Sequence, residues 1–397
     1  MPASFPKLLV ATEFPPNAAG GGAAIVRQML KGWPVEKLFW WSCQPERHQQ
    51  FGQKTAAHAV ATISAKLYPH HRARGPKCWV LENLWTPWAA RHFQKTLDTF
   101  QPEAVWVIPH CWSIPPLAQA LLHSPRRFHV SIHDYADVQG AVERFGAAQS
   151  RRLSDNCDRL YARATTRDVI CQPMADDLLA RTGVAGAVNR AGLEPEDFAA
   201  LETVPTAAGE TIRIAYAGTI IVEKEFALFV VALQKIRAQL RRPLTLEFFG
   251  DHSYRGRAWF DASWMRENGI LTASELSAAL KACTWGFSPM ALTDDNPRYN
   301  QFSFPAKFTS YLAAGLPIIT LGHPACTVVK MASAHYVGVC SSATTADALA
   351  KELSAALTEP DSRRKYQANL LRCARQEFDA DRMRRALHEN FRRQRAE

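Results

Sequence analysis

The chain has 397 residues, of which 47% are apolar, enough material for two buried cores. No run of about 18 uncharged apolar residues occurs, which excludes a membrane-spanning helix, and the N-terminal stretch MPASFPKLLVATEF offers only a short apolar run ending at Glu13, so no export signal is expected and the chain is placed in the cytoplasm. The formal charge of +10 calls for an anionic partner such as nucleic acid, a phosphorylated substrate or an anionic membrane surface, while nine scattered cysteines without a CxxC pair fit a reducing compartment and show no metal-ligand spacing.

In chain order, Lys7–Thr12 reads as a first strand and Ala23–Lys31 as a helix, with Gly20, Gly21 and Gly22 in the turn between them. Such glycines let backbone N–H groups approach a diphosphate or an acceptor closely, although a Gly-rich loop is as often a permissive turn. The stretch KLYPHHRARGPKCWVLENLWTPWAARHF sets Lys66, His70, His71, Arg72, Arg74 and Lys77 beside Trp79, Trp85 and Trp88. Cations interleaved with tryptophans suit an anionic lipid surface or single-stranded nucleic acid, and equally a core flanked by solvated charges. Val105–Ile108 and His129–Ile132 read as buried strands, and His133 directly after the second emerges at a carboxyl edge. There it either faces a ligand or bonds a backbone carbonyl.

Around Pro195–Gly209 the pattern dissolves into Pro, Ala, Thr and acidic residues, as in a linker, and the domain boundary is placed at 198/199. A second α/β series follows, with strands over Arg213–Ala217 ending at Gly218, Leu244–Phe249 ending at Gly250, and Thr284–Ser288, and with helices over Glu225–Leu240 and Ala346–Leu357. Alternating strands and helices predict parallel sheets, here two in tandem with a ligand cleft between them. From Asp379 a final helix is expected, its arginines (Arg382, Arg384, Arg385, Arg392, Arg393, Arg395) forming a solvated face.

Phe304–Thr320, FPAKFTSYLAAGLPIIT, is the most telling segment. Ser303 reads as the N-cap of an amphipathic helix that tolerates Pro305 in its first turn, exposes Lys307 one turn in, and ends at Gly315 before the strand Ile318–Thr320. Such a helix N-terminus attracts phosphate. The segment resembles the donor-binding helix of GT-B glycosyltransferases of the family 4 (group 1) type. VNRAGLEPEDF resembles that family's segment before the second domain, with Arg190 and Ala191 between Asn189 and Gly192, and IAYAGTIIVEKEF places Gly218, Thr219 and Lys224 where the family meets the donor.

The resemblance, spanning about residues 7 to 378, implies two Rossmann-like domains with a C-terminal helix (379–397) crossing back to the first. It implies a retaining transferase that moves a sugar from a nucleotide-diphosphate sugar to a glycan or lipid-linked acceptor in surface-polysaccharide assembly. His133 would orient the donor sugar, while Lys224 and Lys307 would stabilise the leaving diphosphate, with no metal and no other cofactor required. Peripheral association with the inner membrane face is expected; nucleic acid is not. The family's two glutamates fall on Phe302 and Ser310, and its frequent arginine on Thr219, so Asp294, Asp295 and Asn300 become the candidate sugar contacts. Loss of both glutamates leaves two other readings open, a non-catalytic glycan- or nucleotide-binding protein and a nucleotide-sugar epimerase.

Overall fold

The computed structural model describes residues 5–16, 18, 21–44, 56–67, 73–134, 145–202, 211–359 and 361–394. The chain divides into two compact units, Met1–Arg190 with Arg382–Glu397, and Ala191–Asp381.

Unit 1 is built on seven parallel strands, β1 (Leu8–Thr12), β2 (Leu38–Ser42), β3 (Ala57–Val60), β4 (Ala104–Val107), β5 (His129–Ile132), β6 (Thr166–Val169) and β7 (Ala187–Val188), in the order β3-β2-β1-β4-β5-β6-β7. Its helices include α1 (Gly21–Met29), α2 (Arg74–Val80), α3 (Thr86–Phe100), α4 (Ile114–Leu121), α5 (Ala147–Arg163) and α6 (Gln172–Thr182). Strands covered on both faces need continuous apolar sequence, and every residue of β1, β4 and β5 is buried. Tryptophans fill much of this core: Trp40 donates to Thr12 Oγ1 at 2.8 Å and Trp106 to Ser131 Oγ at 2.8 Å, while Nε1 of buried Trp33 and Trp112 has no hydrogen-bond partner.

Unit 2 begins with α7 (Pro195–Glu202) and continues through β8 (Ile212–Ala217), α8 (Glu223–Arg237), β9 (Leu244–Phe249), β10 (Met265–Glu267), α9 (Ala273–Lys281), β11 (Trp285–Pro289), α10 (Pro297–Phe302), α11 (Ala306–Ala313), β12 (Ile318–Leu321), α12 (Thr327–His335), β13 (Gly338–Ser341), α13 (Ala346–Thr358) and α14 (Ser362–Glu377). The parallel sheet runs β10-β9-β8-β11-β12-β13. Its core is phenylalanine-rich, with Phe229 stacked on Phe287 at 3.6 Å between ring centroids. Gly286 lets α11 close on the sheet, because a Cβ there would stand 2.4 Å from the Tyr311 ring.

In both sheets the winding direction reverses between the first strand and the fourth, at β1/β4 and at β8/β11. Loops leaving such a pair diverge and open a crevice at the carboxyl ends. This is the two-domain α/β GT-B fold. Two expectations change. The stretch taken for a linker starts with helix α7, whose Leu201 is buried in the unit 2 core, and the division falls at Arg190/Ala191. Composition hid this helix because its apolar positions are few and its turns are rich in small and acidic residues.

Gly192 is required by packing: a Cβ there would lie 2.5 Å from the Phe378 carbonyl, where Leu193 bridges to Asp379. The last helix, α15 (Ala380–Arg393), buries Met383, Leu387 and Phe391 in the same core as Leu8 and Trp106 of unit 1. Arg382, Arg385, Arg392 and Arg393 are exposed as expected, but Arg384 is buried and donates to the Gln28 carbonyl at 3.4 Å, and Arg395 lies outside the described residues.

Candidate functional site

In unit 2 the chain leaves β8 through Gly218, whose φ of +97° only glycine adopts without strain, and through exposed Thr219. Thr219 Oγ1 meets His252 Nδ1 at 3.3 Å, and the Ile220 amide donates to Tyr254 Oη at 3.1 Å. These contacts tie the β8 loop to the loop after β9 and frame a cavity of about 270 Å³ lined by Gly218, Gly250, Asp251, His252, Tyr254 and Arg255 among others. Lys224 sits exposed in the first turn of α8, between Glu223, which accepts from Trp259 Nε1, and Glu225, which accepts from the Leu292 amide. Both acids are therefore engaged with their own unit, leaving the lysine as the outward charge of that turn.

The α11 region corrects three expectations. Helix α11 starts at Ala306 with Pro305 at its N-cap position and no side-chain cap; Ser303 instead ends α10, whose own cap is Asn296 accepting from the Tyr299 amide. A second short helix upstream took the residue that the sequence offered as a cap. Lys307 does not extend into solvent: Nζ stands 3.8 Å from the centroid of the Tyr216 ring, and burial pushes its pKa down to about 7. Ser310 turns its hydroxyl back to the Ala306 carbonyl at 3.4 Å, and Phe302 is buried. Asn300 is fully buried and its amide clamps Thr293 O and Asp294 Oδ1, so it shapes the loop from within while Asp294 and Asp295 stay exposed. Gly315 does terminate α11, at φ +66°.

In unit 1, Gly20 lies outside the described residues, Gly21 opens α1, and Gly22 lies close under the Phe14 ring, which a Cβ there would meet at 2.9 Å. His133 follows β5 as expected. Burial lowers its pKa to about 4 against the opposing pull of Asp168, so it is neutral at pH 7, and its Nδ1 is buried without a hydrogen bond. The sequence reading missed its neighbours at the reversal point. Glu13, just past β1, is 3% exposed, and its Oε2 lies 2.5 Å from Nδ1 of His110, just past β4. Ninety-seven positions separate the two, so no spacing signal could join them.

The tryptophan-rich stretch splits. Trp85 belongs to the core, whereas Trp79, Leu84 and Trp88 are exposed beside Arg74, Arg91 and Lys95; His70, His71 and Arg72 lie outside the described residues. Among the described residues no helix is long and apolar enough to cross a membrane.

The sequence matches no protein-family model and no curated protein. Its fold is nevertheless that of solved glycosyltransferase structures. A sucrose-phosphate synthase from Thermosynechococcus elongatus superposes with a TM-score of 0.67 at 13% identity, covering 97% of this chain and 98% of that one. WaaG, a glycosyltransferase involved in lipopolysaccharide biosynthesis, gives 0.65 at 12% identity over 96% and 98%. An α,α-trehalose-phosphate synthase (UDP-forming) from Burkholderia xenovorans, in complex with glucose-6-phosphate, gives 0.64 at 13% over 97% and 99%. The chain is thus similar along nearly its whole length to GT-B glycosyltransferases in fold.

Proposed function

We propose that this protein is a retaining, metal-independent glycosyltransferase that moves a sugar from a nucleotide-diphosphate sugar to a glycan or lipid-linked acceptor in surface-polysaccharide assembly. The observation that carries the reading is the carboxyl edge of the unit 2 sheet, where a cavity of about 270 Å³ opens at the ends of β8, β9 and β10 beside the Gly218 turn, with the outward Lys224 following in the first turn of α8. Breaking the bond between the sugar and the diphosphate leaves negative charge on phosphate, and Lys224 with the first amides of α8 supplies positive charge there. Lys307 adds a second cation, in part protonated at neutral pH. The donor's base and ribose fit the Gly250–Arg255 loop, and Asp294 and Asp295 are left to meet sugar hydroxyls. Retention and the surface-glycan pathway rest on the resemblance of Phe304–Thr320 to family 4 and on the fold likeness to WaaG.

Neutral His133 would hydrogen-bond the sugar and orient it. Exposed Trp79, Leu84 and Trp88 beside cations favour binding at an anionic membrane face, which cosedimentation with phosphatidylserine-containing vesicles tests. A second reading, non-catalytic nucleotide or glycan binding, is favoured by Phe302 in the core and by Ser310 bonded to its own helix. Calorimetry with UDP-, GDP- and ADP-sugars decides: one class should bind and lose at least about tenfold in affinity in Lys224→Ala, a charge-assisted contact being worth about 1.5–3 kcal/mol. Binding without sugar release or transfer establishes the second reading, and a flat panel removes the transferase and puts non-catalytic glycan binding first.

A further inference from the structure

Glu13, His110 and Cys111 have polar side-chain atoms that all lie within 4.8 Å of one another. Buried Glu13 holds Nδ1 of His110 at 2.5 Å, which directs the other ring nitrogen, Nε2, to the Cys111 sulfur at 3.9 Å. The backbone is bent to bring them together. Cys111 has φ +40°, in the left-handed region that costs a residue with a Cβ about 1–2 kcal/mol, and the turn is pinned by Ser113, whose hydroxyl donates to the His110 carbonyl at 2.8 Å and accepts from the His110 amide at 2.9 Å. The result is that a side chain reaches back to the ring of its immediate predecessor.

We infer that Glu13, His110 and Cys111 form a carboxylate–imidazole–thiolate relay that makes Cys111 a reactive nucleophile and a site of oxidation by hydroperoxides. Seven of the nine cysteines are buried; Cys111 and Cys340 are partly open, and burial pushes the Cys340 thiol up while its sulfur contacts the Val329 carbonyl. Cys111 has an imidazole within reach on a carboxylate-bound ring, and over a third of that His110 side chain is open to solvent. The Cys111 sulfur and then Glu13 hold His110 well above the ordinary imidazole range, against its burial. The other titratable groups facing this pair are His133, Asp134 and Cys43; His133 is neutral, and Cys43 is pushed up by burial and by Glu13.

In the step itself the thiolate attacks one peroxide oxygen and the O–O bond breaks. The departing alkoxide takes the proton from Nε2 of His110, leaving a sulfenic acid and an alcohol. Sulfur is oxidised by two electrons and the peroxide is reduced by two.

The test is alkylation of the full chain by iodoacetamide from pH 4 to 10, with each cysteine followed by mass spectrometry, then hydrogen peroxide with dimedone trapping at pH 7. Cys111 should label first among the nine cysteines at pH 7 and should be the main dimedone adduct. His110→Gln should slow labelling of Cys111 at pH 7 by about tenfold or more, because the ring that takes its proton is gone. An earlier-reacting cysteine in the unaltered protein, or labelling of Cys111 no faster than that of glutathione, overturns the assignment even if the variant fails to fold. These readouts need no donor or acceptor, so they stand apart from the transferase test.

Discussion

The two units share a strand plan and fill it with different chemistry. Both sheets reverse at their first and fourth strands, yet the unit 1 edge collects titratable side chains, buried Glu13 with half-buried His110 and His133, while the unit 2 edge presents a glycine turn, a hydroxyl and exposed Lys224. Their interiors differ in parallel, tryptophans in unit 1, two of them donating to hydroxyls, and stacked phenylalanines in unit 2. Topology thus fixes where the strand ends open, and the residues after the strands decide which side-chain chemistry stands there.

The largest effect expected from breaking this comparison is in the unit 2 core. Phe287→Ala removes a fully buried ring stacked on Phe229 and should cost about 3–5 kcal/mol. Hydrogen exchange should then show amides of β8–β13 losing protection while β1–β7 keep theirs; equal loss in both would show the units to be one cooperative body.

Acid should single out unit 1. His58, His133 and His388 are each lowered by burial to about 4. Between pH 6.5 and 4 the unfolded chain binds protons that the folded one refuses, so stability falls as pH falls through that window. His110, raised, is protonated in both states there and adds no slope; its own contribution is lost only as pH rises through its folded pKa. Unit 1 should therefore melt earlier at pH 4.5 than at 7, by about 2–4 °C for each kcal/mol lost, and a flat profile by calorimetry would return these imidazoles to ordinary surroundings.

The smallest effect sharpens the anion side. Lys307 is lowered to about 7 by burial, so between pH 7 and its unfolded value of 10.5 the unfolded chain binds the extra proton and unit 2 gains stability as pH rises. If its charge meets the donor, affinity for a nucleotide sugar, whose diphosphate does not titrate there, should fall by up to about tenfold per pH unit above 7. Lys307→Met should abolish that slope; a slope that survives assigns it to another group.

Much of the frame was legible in sequence, because strands buried on both faces must be continuous apolar runs: β1, β5, β9 and β12 fall within a residue or so of their expected places. The site was legible only where one strand end announces it, as with Gly218 and His133. Ser303 misled because capping residues are scored locally, and α10 had already claimed it. Lys307 misled because a lysine's long stem lets the same position face water or fold onto Tyr216. The Glu13–His110 pair was invisible because it exists only once β1 and β4 lie side by side.

The final helix has a consequence for synthesis. Unit 2 is one unbroken stretch of chain, Ala191–Asp381, but unit 1 needs Phe391 beside Trp106 and the Gln394 side chain accepting from the Val105 amide at 3.0 Å. On the ribosome the half made first therefore finishes last: its apolar surface must wait, uncovered, through the translation of the entire second unit, and it is in that interval that chaperones have most to protect.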